Sequence, residues 1–339
     1  MDSHIKLKGR SFLTLKDYST EEILYLLDLS KELKAKKKGA SFSKKLDGKL
    51  LKGKNIVLIF DKTSTRTRCS FEVAAFDEGA QVTFLTNSQM GKKESIEDTA
   101  KVLGRMYDGI QYRGFSMQVI KDLSTFSGVP VWNGLTDDDH PTQVLADFLT
   151  AMEHTGKPVD KLKMAYIGDG RNNVSNALMI GAAKVGMQYT IGTPKELYPS
   201  KELFDELSVV AKETGAKLSV TTDPFEAVKG ADVIYTDIWV SMGEEDQTSS
   251  RIALLKDYQV TMDLLKASGN KNVLFEHCLP SFHDLNTSVA QQIHEQFGLT
   301  ELEVTDEVFR SKHSVVFDEA ENRMHTIKAV MVATMSDKL

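Results

Sequence analysis

Short apolar runs alternate with segments of helical periodicity along most of this 339-residue chain. Runs rich in β-branched and aromatic residues predict nine strands in two series. The first series covers 55–60, 81–86, 108–113 and 129–134, and the second covers 164–169, 187–192, 217–222, 232–239 and 272–277. Helical patterns fill the gaps, at 95–106, 140–154, 174–185 and 201–213. This alternation predicts an α/β protein with two doubly wound parallel-sheet domains.

A boundary between two domains is indicated where the first series of strands ends. The helix predicted at 140–154 runs into His154-Thr155-Gly156-Lys157-Pro158, a sequence typical of a helix end. The length agrees, because a chain of this size corresponds to roughly two domains. A last helical segment at about 320–337 follows the second series, and the pattern alone leaves its packing open.

Charge and composition narrow the class of protein without naming it. Asp and Glu outnumber Lys and Arg by 48 to 42, and this net charge of −6 gives no support to nucleic-acid binding. No segment approaches about 18 consecutive apolar residues, and the N-terminus lacks the apolar stretch of a secretory signal. The two cysteines, Cys69 and Cys278, form neither a disulfide framework nor a zinc-binding pattern. We therefore expect a soluble, cytoplasmic protein without a metal or a membrane partner.

The segment after the first strand is rich in groups that bind anions. Where a helix should begin, it places four hydroxyl side chains and two arginines: Thr63, Ser64, Thr65, Arg66, Thr67 and Arg68. Hydroxyls, the free amides of a helix N-terminus and guanidinium groups all bind phosphate. The alternative, a polar helix cap with surface arginines, needs only one of the hydroxyls. We therefore favour an anion site, although the P-loop pattern GxxxxGK[ST] is absent.

Two more strand ends of the first series carry polar groups, at the edge where open α/β sheets bind their ligands. Arg113 follows the strand at 108–112, and a lone arginine there is a weak signal. His140 and Gln143 follow the next strand, and they share a face if the helix begins at Pro141. A histidine can donate a hydrogen bond or transfer protons near neutral pH, but an incidental histidine in a capping loop is the alternative.

The strand ends of the second series are chemically mixed. The turn 168–173 (GDGRNN) is similar to a dinucleotide-binding turn, but Asn173 replaces the third glycine of GxGxxG, which disfavours a nucleotide cofactor. Asn173 could instead hold a substrate carboxylate or cap the helix. Asp237 lies at the end of a β-rich run, and Cys278 follows the last strand. A free cysteine is most commonly a small hydrophobic residue, so Cys278 alone does not indicate a nucleophile.

Four motifs at strand ends, taken together, resemble those of the ornithine carbamoyltransferase family. They are STRTR (64–68), HPTQ (140–143), SMG (241–243, after Asp237) and HCLP (277–280), in this order. The resemblance covers essentially the full length, as far as 322–325 near the C-terminus. STRTR and HPTQ are shared by carbamoyltransferases in general, whereas SMG and HCLP mark the ornithine branch.

The resemblance implies a domain organisation and an assembly. Residues 1–151 would form a carbamoyl phosphate-binding domain, with the C-terminal helix 320–339 folding back on it, and residues 152–319 an ornithine-binding domain. The family forms homotrimers or multiples of trimers, with active sites at subunit interfaces, and it uses no cofactor. The implied reaction transfers the carbamoyl group of carbamoyl phosphate to the δ-amine of L-ornithine, giving L-citrulline and phosphate.

The resemblance also implies roles for individual residues of this chain. The implied carbamoyl phosphate-binding residues are Ser64, Thr65, Arg66, Thr67, Gln89, Arg113, His140, Gln143, Cys278, Leu279 and Arg323, with Gln89 reaching the phosphate of a neighbouring subunit. The implied ornithine-binding residues are Asn173, Asp237, Ser241 and Met242. The implied catalytic residues are Arg113, His140, Asp237 and Cys278. Which of the last two deprotonates the attacking amine stays open.

Alternatives concern the substrate, the class of protein and the direction of the reaction. The acceptor could be putrescine, aspartate or an acylated ornithine, although SMG with HCLP favours plain ornithine. A nicotinamide-dependent dehydrogenase is disfavoured by the broken GxGxxG, and a non-catalytic regulatory homologue by the intact motifs. The start LKGRSFLTLKDYS and the GDGRNN turn resemble bacterial enzymes. We expect the catabolic type, which runs the reaction in reverse in the arginine deiminase pathway, with anabolic arginine biosynthesis as the alternative.

Overall fold

The computed structural model describes residues 5–39, 46–86, 88–240 and 245–338. The strands are β1 (Asn55–Phe60), β2 (Gln81–Leu85), β3 (Gly109–Arg113), β4 (Val131–Leu135), β5 (Lys163–Ile167), β6 (Gln188–Gly192), β7 (Lys217–Thr221), β8 (Val233–Tyr235) and β9 (Leu274–Glu276). The helices are α1 (Thr20–Lys37), α2 (Thr65–Asp77), α3 (Ile96–Met106), α4 (Met117–Ser127), α5 (Pro141–Thr155), α6 (Asn173–Val185), α7 (Lys201–Thr214), α8 (Pro224–Ala227), α9 (Thr248–Leu255), α10 (Met262–Ala267), α11 (Ser288–Phe297), α12 (Asp306–Phe309) and α13 (Val316–Met335). No helix in these ranges is long and apolar enough to cross a membrane.

The chain divides into two compact units, one made of residues 1–149 and 320–339 and the other of residues 150–319. The sheet of the first unit holds four parallel strands in the order β2-β1-β3-β4, and that of the second holds five in the order β7-β6-β5-β8-β9. The predicted fold class, α/β with two parallel sheets, is confirmed. The order in which strands are added reverses once in each sheet, between β1 and β3 and between β5 and β8. Such switch points of parallel sheets are where ligands bind.

The first unit fixes β4 from both ends of the chain. In the N-terminal segment Phe12 pairs with Trp132, and the Asn133 side-chain amide donates to the carbonyl of Leu13 at 2.9 Å. On the C-terminal helix α13, the hydroxyl of Thr334 accepts from the Trp132 indole at 3.0 Å. Behind these contacts lies an apolar core that includes Val57, Ile59, Ile110, Tyr112, Ile120, Leu123 and Val131. The loop that follows β4 therefore starts from a well-anchored strand.

Most predicted elements differ from the structure by one or two residues at an end, and the run at 232–239 and the last helix differ by more. The run 232–239 forms a strand only over Val233–Tyr235. Beyond it, the amide of Ile238 donates to the side chain of Asp237 at 2.8 Å instead of to a neighbouring strand. Asp237 consequently lies in the loop beyond the strand. The run 272–277 shortens to Leu274–Glu276, and the last helix spans Val316–Met335 instead of 320–337.

Gly109, the first residue of β3, has no room for a side chain. A Cβ built there would lie 2.2 Å from Cη2 of the buried Trp132 ring. We expect Gly109→Ala to lower the free energy of unfolding by about 1–3 kcal/mol, the usual cost of overpacking a core, as measured by urea denaturation. The double variant Gly109→Ala/Trp132→Leu should lose less than the sum of the two single losses, and strictly additive losses would contradict this steric explanation.

Candidate active site

The N-terminus of α2 lies at the carboxyl end of β1, where the sequence predicts an anion site. Ser64 is the N-cap, and its hydroxyl accepts from the amide of Thr67 at 3.2 Å. Ser64 and Arg66 are partly buried, and Thr65 is exposed. The first amides of a helix have no partner within the helix, and the helix dipole adds positive potential there. The local structure thus suits an anion, in agreement with the interpretation of this segment from sequence.

Two buried arginines converge on the hydroxyl of Thr67 from distant parts of the first unit. Arg113, at the end of β3, reaches Thr67 Oγ1 with Nη1 at 3.4 Å, and the same nitrogen lies 3.4 Å from the carbonyl of Gly134. Arg323, on α13, donates from Nη2 to the same hydroxyl at 3.1 Å. Two guanidinium groups held beside one neutral hydroxyl form a concentrated positive site. Such a site favours a doubly charged anion.

His140 and Gln143 join this cluster at the start of α5. Arg323 Nη1 donates to Gln143 Oε1 at 2.5 Å and lies 3.5 Å from His140 Nε2. Gln143 Nε2 in turn donates to Asp147 Oδ1 at 2.7 Å. Nδ1 of His140 is buried and has no hydrogen-bond partner among the described residues. A guanidinium donor facing Nε2 favours the tautomer of the neutral ring that carries its proton on Nδ1.

Burial, together with the charges of Arg323, Arg113 and Arg66, holds the pKa of His140 well below its ordinary value. The imidazole is therefore neutral at neutral pH. In the unfolded chain the same ring takes up a proton near its ordinary pKa of about 6.5. Because only the unfolded state gains this proton, the contribution of His140 to stability is lost as the pH falls.

We expect the wild type to lose about 1 kcal/mol more of its free energy of unfolding than His140→Gln between about pH 7 and about pH 5.5. The reason is that glutamine does not titrate, so the variant lacks the proton uptake in its unfolded state. Urea denaturation at several pH values measures both proteins. A difference between the two proteins that stays constant with pH would show that folded His140 titrates normally.

Lys62 is a residue of this site that sequence reasoning missed. Its side chain is 7% exposed, forms an ion pair with Asp137 and lies over the ring of Phe115 at 4.4 Å. Lys62 is the second residue after β1, and Asp137 lies in the loop after β4. The ion pair thus joins the anion-binding loop to the loop of His140. A lysine next to STRTR looks like solvated surface in a sequence, and only its position at a strand end could have drawn attention to it.

Gln89 lies in the exposed turn after β2. Its carbonyl accepts from the amides of Lys92, Lys93 and Glu94 at 3.0, 2.9 and 3.2 Å, which closes the turn. The role predicted for its side chain is a contact with a neighbouring subunit. That role stays a prediction.

In the second unit, Asp237 and Cys278 come together after β8 and β9. Asp237 Oδ1 accepts from the Cys278 thiol at 3.1 Å and from the amide of Ile238 at 2.8 Å. Burial raises the pKa of Asp237, although His277 and the hydrogen bonds from Cys278 and Ile238 oppose this. A carboxyl group with a raised pKa is a better proton acceptor than an ordinary aspartate.

His277 and Glu303 fix the loop that carries Cys278 and Leu279. Nδ1 of His277 accepts a hydrogen bond from the amide of Leu279 at 2.9 Å, so the ring proton lies on Nε2. Nε2 donates this proton in a hydrogen bond to Glu303 Oε1 at 3.1 Å. Glu303 also accepts from the amide of Phe282 at 2.7 Å. Leu279 has a φ of +58°, a left-handed conformation that is strained for leucine and is held here by these contacts. Burial acts to lower the pKa of His277, but Glu303 outweighs it and the pKa is raised.

Asn173 is the first residue of α6, and the cap of this helix is its neighbour Asn172, whose side chain accepts from the amide of Val174 at 2.7 Å. Capping of the helix, one of the two roles considered for Asn173, is therefore performed by Asn172. Asn173 is partly buried, and binding of a substrate carboxylate stays a prediction. Ser241 and Met242 lie outside the described residues.

Asp237, His277 and Cys278 each offer a donor atom that a metal ion could use, with these atoms within 4.8 Å of one another. Both ring nitrogens of His277 already form hydrogen bonds, to the amide of Leu279 and to Glu303. A metal ion coordinated by His277 would have to replace one of these two hydrogen bonds. The prediction that the protein uses no metal is left untested by this geometry.

Comparison with known proteins gives matches over both units. Residues 10–153 match the carbamoyl-P binding domain of aspartate/ornithine carbamoyltransferase, and residues 160–334 match the Asp/Orn binding domain. A protein of Limosilactobacillus reuteri named ornithine carbamoyltransferase is 63% identical over 335 residues, which covers 98% of each chain. A protein of Clostridium perfringens named ornithine carbamoyltransferase, catabolic, is 61% identical over 331 residues, covering 97% of this chain and 98% of the relative.

Solved structures of ornithine carbamoyltransferases are also similar to this chain over nearly its full length. Ornithine carbamoyltransferase from Pyrococcus furiosus is 39% identical, with a TM-score of 0.86 and 98% of each chain covered. The anabolic ornithine carbamoyltransferase from Campylobacter jejuni is 36% identical, with a TM-score of 0.83, covering 95% of this chain and 97% of that one.

Proposed function

The chain belongs to the aspartate/ornithine carbamoyltransferase family, and we propose that it transfers the carbamoyl group between carbamoyl phosphate and the δ-amine of L-ornithine. The products of the forward reaction are L-citrulline and phosphate. The observation that carries the proposal is the convergence of Arg113 and Arg323 on Thr67, beside a neutral His140. Family membership removes the nicotinamide-dependent dehydrogenase from consideration.

The first unit binds carbamoyl phosphate in this proposal. The N-terminus of α2, with Ser64, Thr65, Arg66 and Thr67, holds the phosphate. Attack on the carbonyl carbon places negative charge on the carbonyl oxygen, and Arg113 with the neutral His140 stabilises that charge. A neutral imidazole donates a hydrogen bond without adding a third positive charge next to the arginines. Gln143 and Arg323 orient the carbamoyl group.

The second unit binds ornithine in this proposal. The δ-amine of ornithine is mostly protonated at neutral pH, since alkylamines have pKa values of about 10, and it must lose a proton before it attacks. Asp237, with its raised pKa and its hydrogen bond from Cys278, is placed to accept this proton or to orient the amine. We assign binding of ornithine to Asn173, Asp237, Ser241 and Met242, and closure of the pocket at the carbamoyl group to Cys278 and Leu279.

The direction of the reaction follows from the naming of the relatives. Several of the curated relatives that are 60–61% identical carry the word catabolic in their names, among them those of Clostridium perfringens and Bacillus licheniformis. The Campylobacter jejuni structure, which is named anabolic, is 36% identical. The chain is thus of the catabolic type, in which citrulline and phosphate give ornithine and carbamoyl phosphate. Saturation curves for carbamoyl phosphate test this assignment. Sigmoidal curves support it, and hyperbolic curves that saturate at low concentration contradict it.

We further propose that the protein forms a homotrimer or a multiple of trimers in the cytoplasm. One feature of the surface supports an assembly: β2 is an edge strand, and Phe76 on the neighbouring α2 is 78% exposed. Large exposed apolar side chains beside an edge strand are typical of an interface. Light scattering on the purified protein measures the mass, and a monomer at micromolar concentration would contradict the assembly.

An acceptor panel tests the proposed activity. The purified protein is incubated with carbamoyl phosphate and, in turn, L-ornithine, putrescine, L-aspartate and N-acetylornithine, and the ureido product is measured by colorimetry. We expect product with L-ornithine at a kcat/KM far above that with the other three amines. Equal or higher activity with another amine would reject ornithine as the substrate, and no product with any amine would reject the activity.

A further inference from the structure

Glu303 is a buried carboxylate of the second unit that belongs to none of the sequence motifs. One of its oxygens, Oε1, accepts two hydrogen bonds, from Nε2 of His277 at 3.1 Å and from the amide of Phe282 at 2.7 Å. These two donors lie on either side of the segment 278–281, which carries the thiol of Cys278. A single oxygen atom therefore fixes this segment of the loop at both of its ends.

The backbone around Glu303 is anchored to the core of the second unit. The carbonyl of Glu303 accepts from the amide of Val260 at 2.8 Å, and the next residue, Val304, pairs with Val260 in a short bridge. On the other side, the amide of Leu302 donates to the carbonyl of Phe282 at 2.9 Å. The apolar neighbours of Glu303 belong to a buried core cluster. Glu303 is thus a fixed point to which the loop is attached.

The carboxyl group of Glu303 is ionised at neutral pH. Burial acts to raise its pKa, but the hydrogen bonds from His277 and from the Phe282 amide outweigh burial, and the pKa is lowered. Ionised acceptors form shorter and stronger hydrogen bonds than neutral ones. The other oxygen, Oε2, is buried and has no hydrogen-bond partner among the described residues. The attachment of the loop therefore depends on one oxygen and on its negative charge.

This attachment determines where the Cys278 thiol lies. The thiol donates to Asp237 Oδ1 at 3.1 Å. The next residue, Leu279, has the strained φ of +58°, and its amide is held by Nδ1 of His277. Without Glu303 the His277 ring would lose the bond that fixes its orientation. Leu279 could then relax to an ordinary backbone conformation, which would move Cys278 away from Asp237.

We propose that Glu303 is a positioning residue for the carbamoyl transfer, which keeps the segment 278–281 in place beside Asp237. The inference rests on the proposed function, because that function places Cys278 and Asp237 at the reacting groups. Glu303 contacts neither substrate in the proposal and acts only through the loop. A displacement of about 1 Å at a reacting group can lower a rate about 10²-fold, so the position of the loop should affect kcat.

Two variants of Glu303 and one control separate this role from a merely structural one. Glu303→Leu removes the acceptor at similar volume, whereas Glu303→Gln keeps an acceptor oxygen and loses the charge. Asp232→Asn is the matched control, because Asp232 is a buried carboxylate paired with Lys157 at 2.7 Å. Asp232 directly precedes β8, so it lies at the end of the strand opposite to Asp237. Circular dichroism checks folding, and Glu303→Gln decides the test if Glu303→Leu does not fold.

The first readout is the kcat for citrulline formation at saturating substrates. We expect a loss of about 10²-fold in Glu303→Leu, the effect of a misplaced reacting group. In Glu303→Gln the loss should be about fivefold, because a neutral acceptor forms weaker bonds. Asp232→Asn should keep kcat within about twofold of the wild-type value. Inhibition by inorganic phosphate, which the proposal places at α2 in the first unit, should change less than about twofold in all three variants.

The second readout is the reactivity of the Cys278 thiol, which requires no activity. The substrate-free protein is treated with iodoacetamide, and mass spectrometry of its peptides gives the alkylation rate at Cys278 relative to the exposed Cys69. This ratio should rise at least about fivefold in Glu303→Leu and by less in Glu303→Gln, because a thiol that leaves a carboxyl group and gains exposure forms thiolate more readily. Asp232→Asn should leave the ratio at its wild-type value.

An unchanged kcat in the folded Glu303 variants, or an unchanged ratio of alkylation rates, overturns the inference. A loss of kcat in Asp232→Asn as large as that in Glu303→Gln overturns it as well, because the effect would then be general to buried carboxylates. If the wild type itself makes no citrulline, the proposed function fails instead, whatever the alkylation rates, so the two failures are distinguishable.

Discussion

Replacing Arg113 with methionine should lower kcat for citrulline formation by about 10²–10³-fold, the loss that follows removal of one donor from an oxyanion site. Methionine has a similar length and keeps the apolar part of the side chain, so the main change is the loss of the guanidinium group. Arg113 lies at the end of β3 with its charge 3.4 Å from Thr67 Oγ1. In the proposal, Arg113 contacts both the phosphate and the carbonyl oxygen of carbamoyl phosphate bound at the N-terminus of α2.

The separate effects of Arg113→Met on kcat and on KM distinguish two possible roles of Arg113. If it stabilises charge that develops in the transition state, kcat falls while the KM for carbamoyl phosphate changes little. If it binds the phosphate only, KM rises and kcat is retained. Arg105→Met is the matched control, because Arg105 is exposed on α3 and contacts the carbonyl of Lys101. Near-normal kcat and KM for Arg113→Met would remove this residue from the site.

Replacing Asp237 with asparagine should lower kcat/KM for ornithine at least about 30-fold, equivalent to about 2 kcal/mol, because a buried charge that would face the amine is lost. The carboxylate is buried and accepts from the Cys278 thiol. Asparagine keeps the shape but can neither accept the proton of the amine nor balance its charge. Steady-state kinetics with each substrate varied in turn measures the effect.

The carbamoyl phosphate side of the reaction is the internal control for Asp237. The KM for carbamoyl phosphate in Asp237→Asn should stay within about twofold of the wild-type value, since the proposal assigns Asp237 to ornithine binding. Asp263→Asn, at an exposed position of α10, controls for the loss of a negative charge from the second unit. An unchanged kcat/KM for ornithine in Asp237→Asn would show that Asp237 neither binds nor deprotonates the amine.

The strands could be predicted from the sequence because most of them are buried apolar runs bounded by polar turns. The error at 232–239 has a simple physical cause. Ile238 and Trp239 continue the apolar pattern, but the amide of Ile238 donates to the Asp237 side chain instead of to a neighbouring strand. An apolar pattern reports burial, and a loop packed on a core is buried as well. The start of α2 within the hydroxyl- and arginine-rich segment could be predicted because the groups concerned are adjacent in the sequence, whereas anion binding there stays a prediction.

The rest of the site depends on contacts between residues that are far apart in the chain. Nothing near Arg323 in the sequence indicates that it meets Thr67, and it was assigned only through the family resemblance. Glu303, which binds the ring of His277, has no local signal either. Periodicity and motif spacing describe neighbours along the chain, whereas these pairs are created by the folding of the unit.

The two arginines that share the hydroxyl of Thr67 have a consequence for the stability of the protein. A dianion that binds between them meets both guanidinium groups only in the folded state, so its binding stabilises the fold. Inorganic phosphate, at about 100 times its Kd, would add about 2.7 kcal/mol to the free energy of unfolding. Urea denaturation with and without phosphate therefore reports anion binding at this site without any measurement of activity.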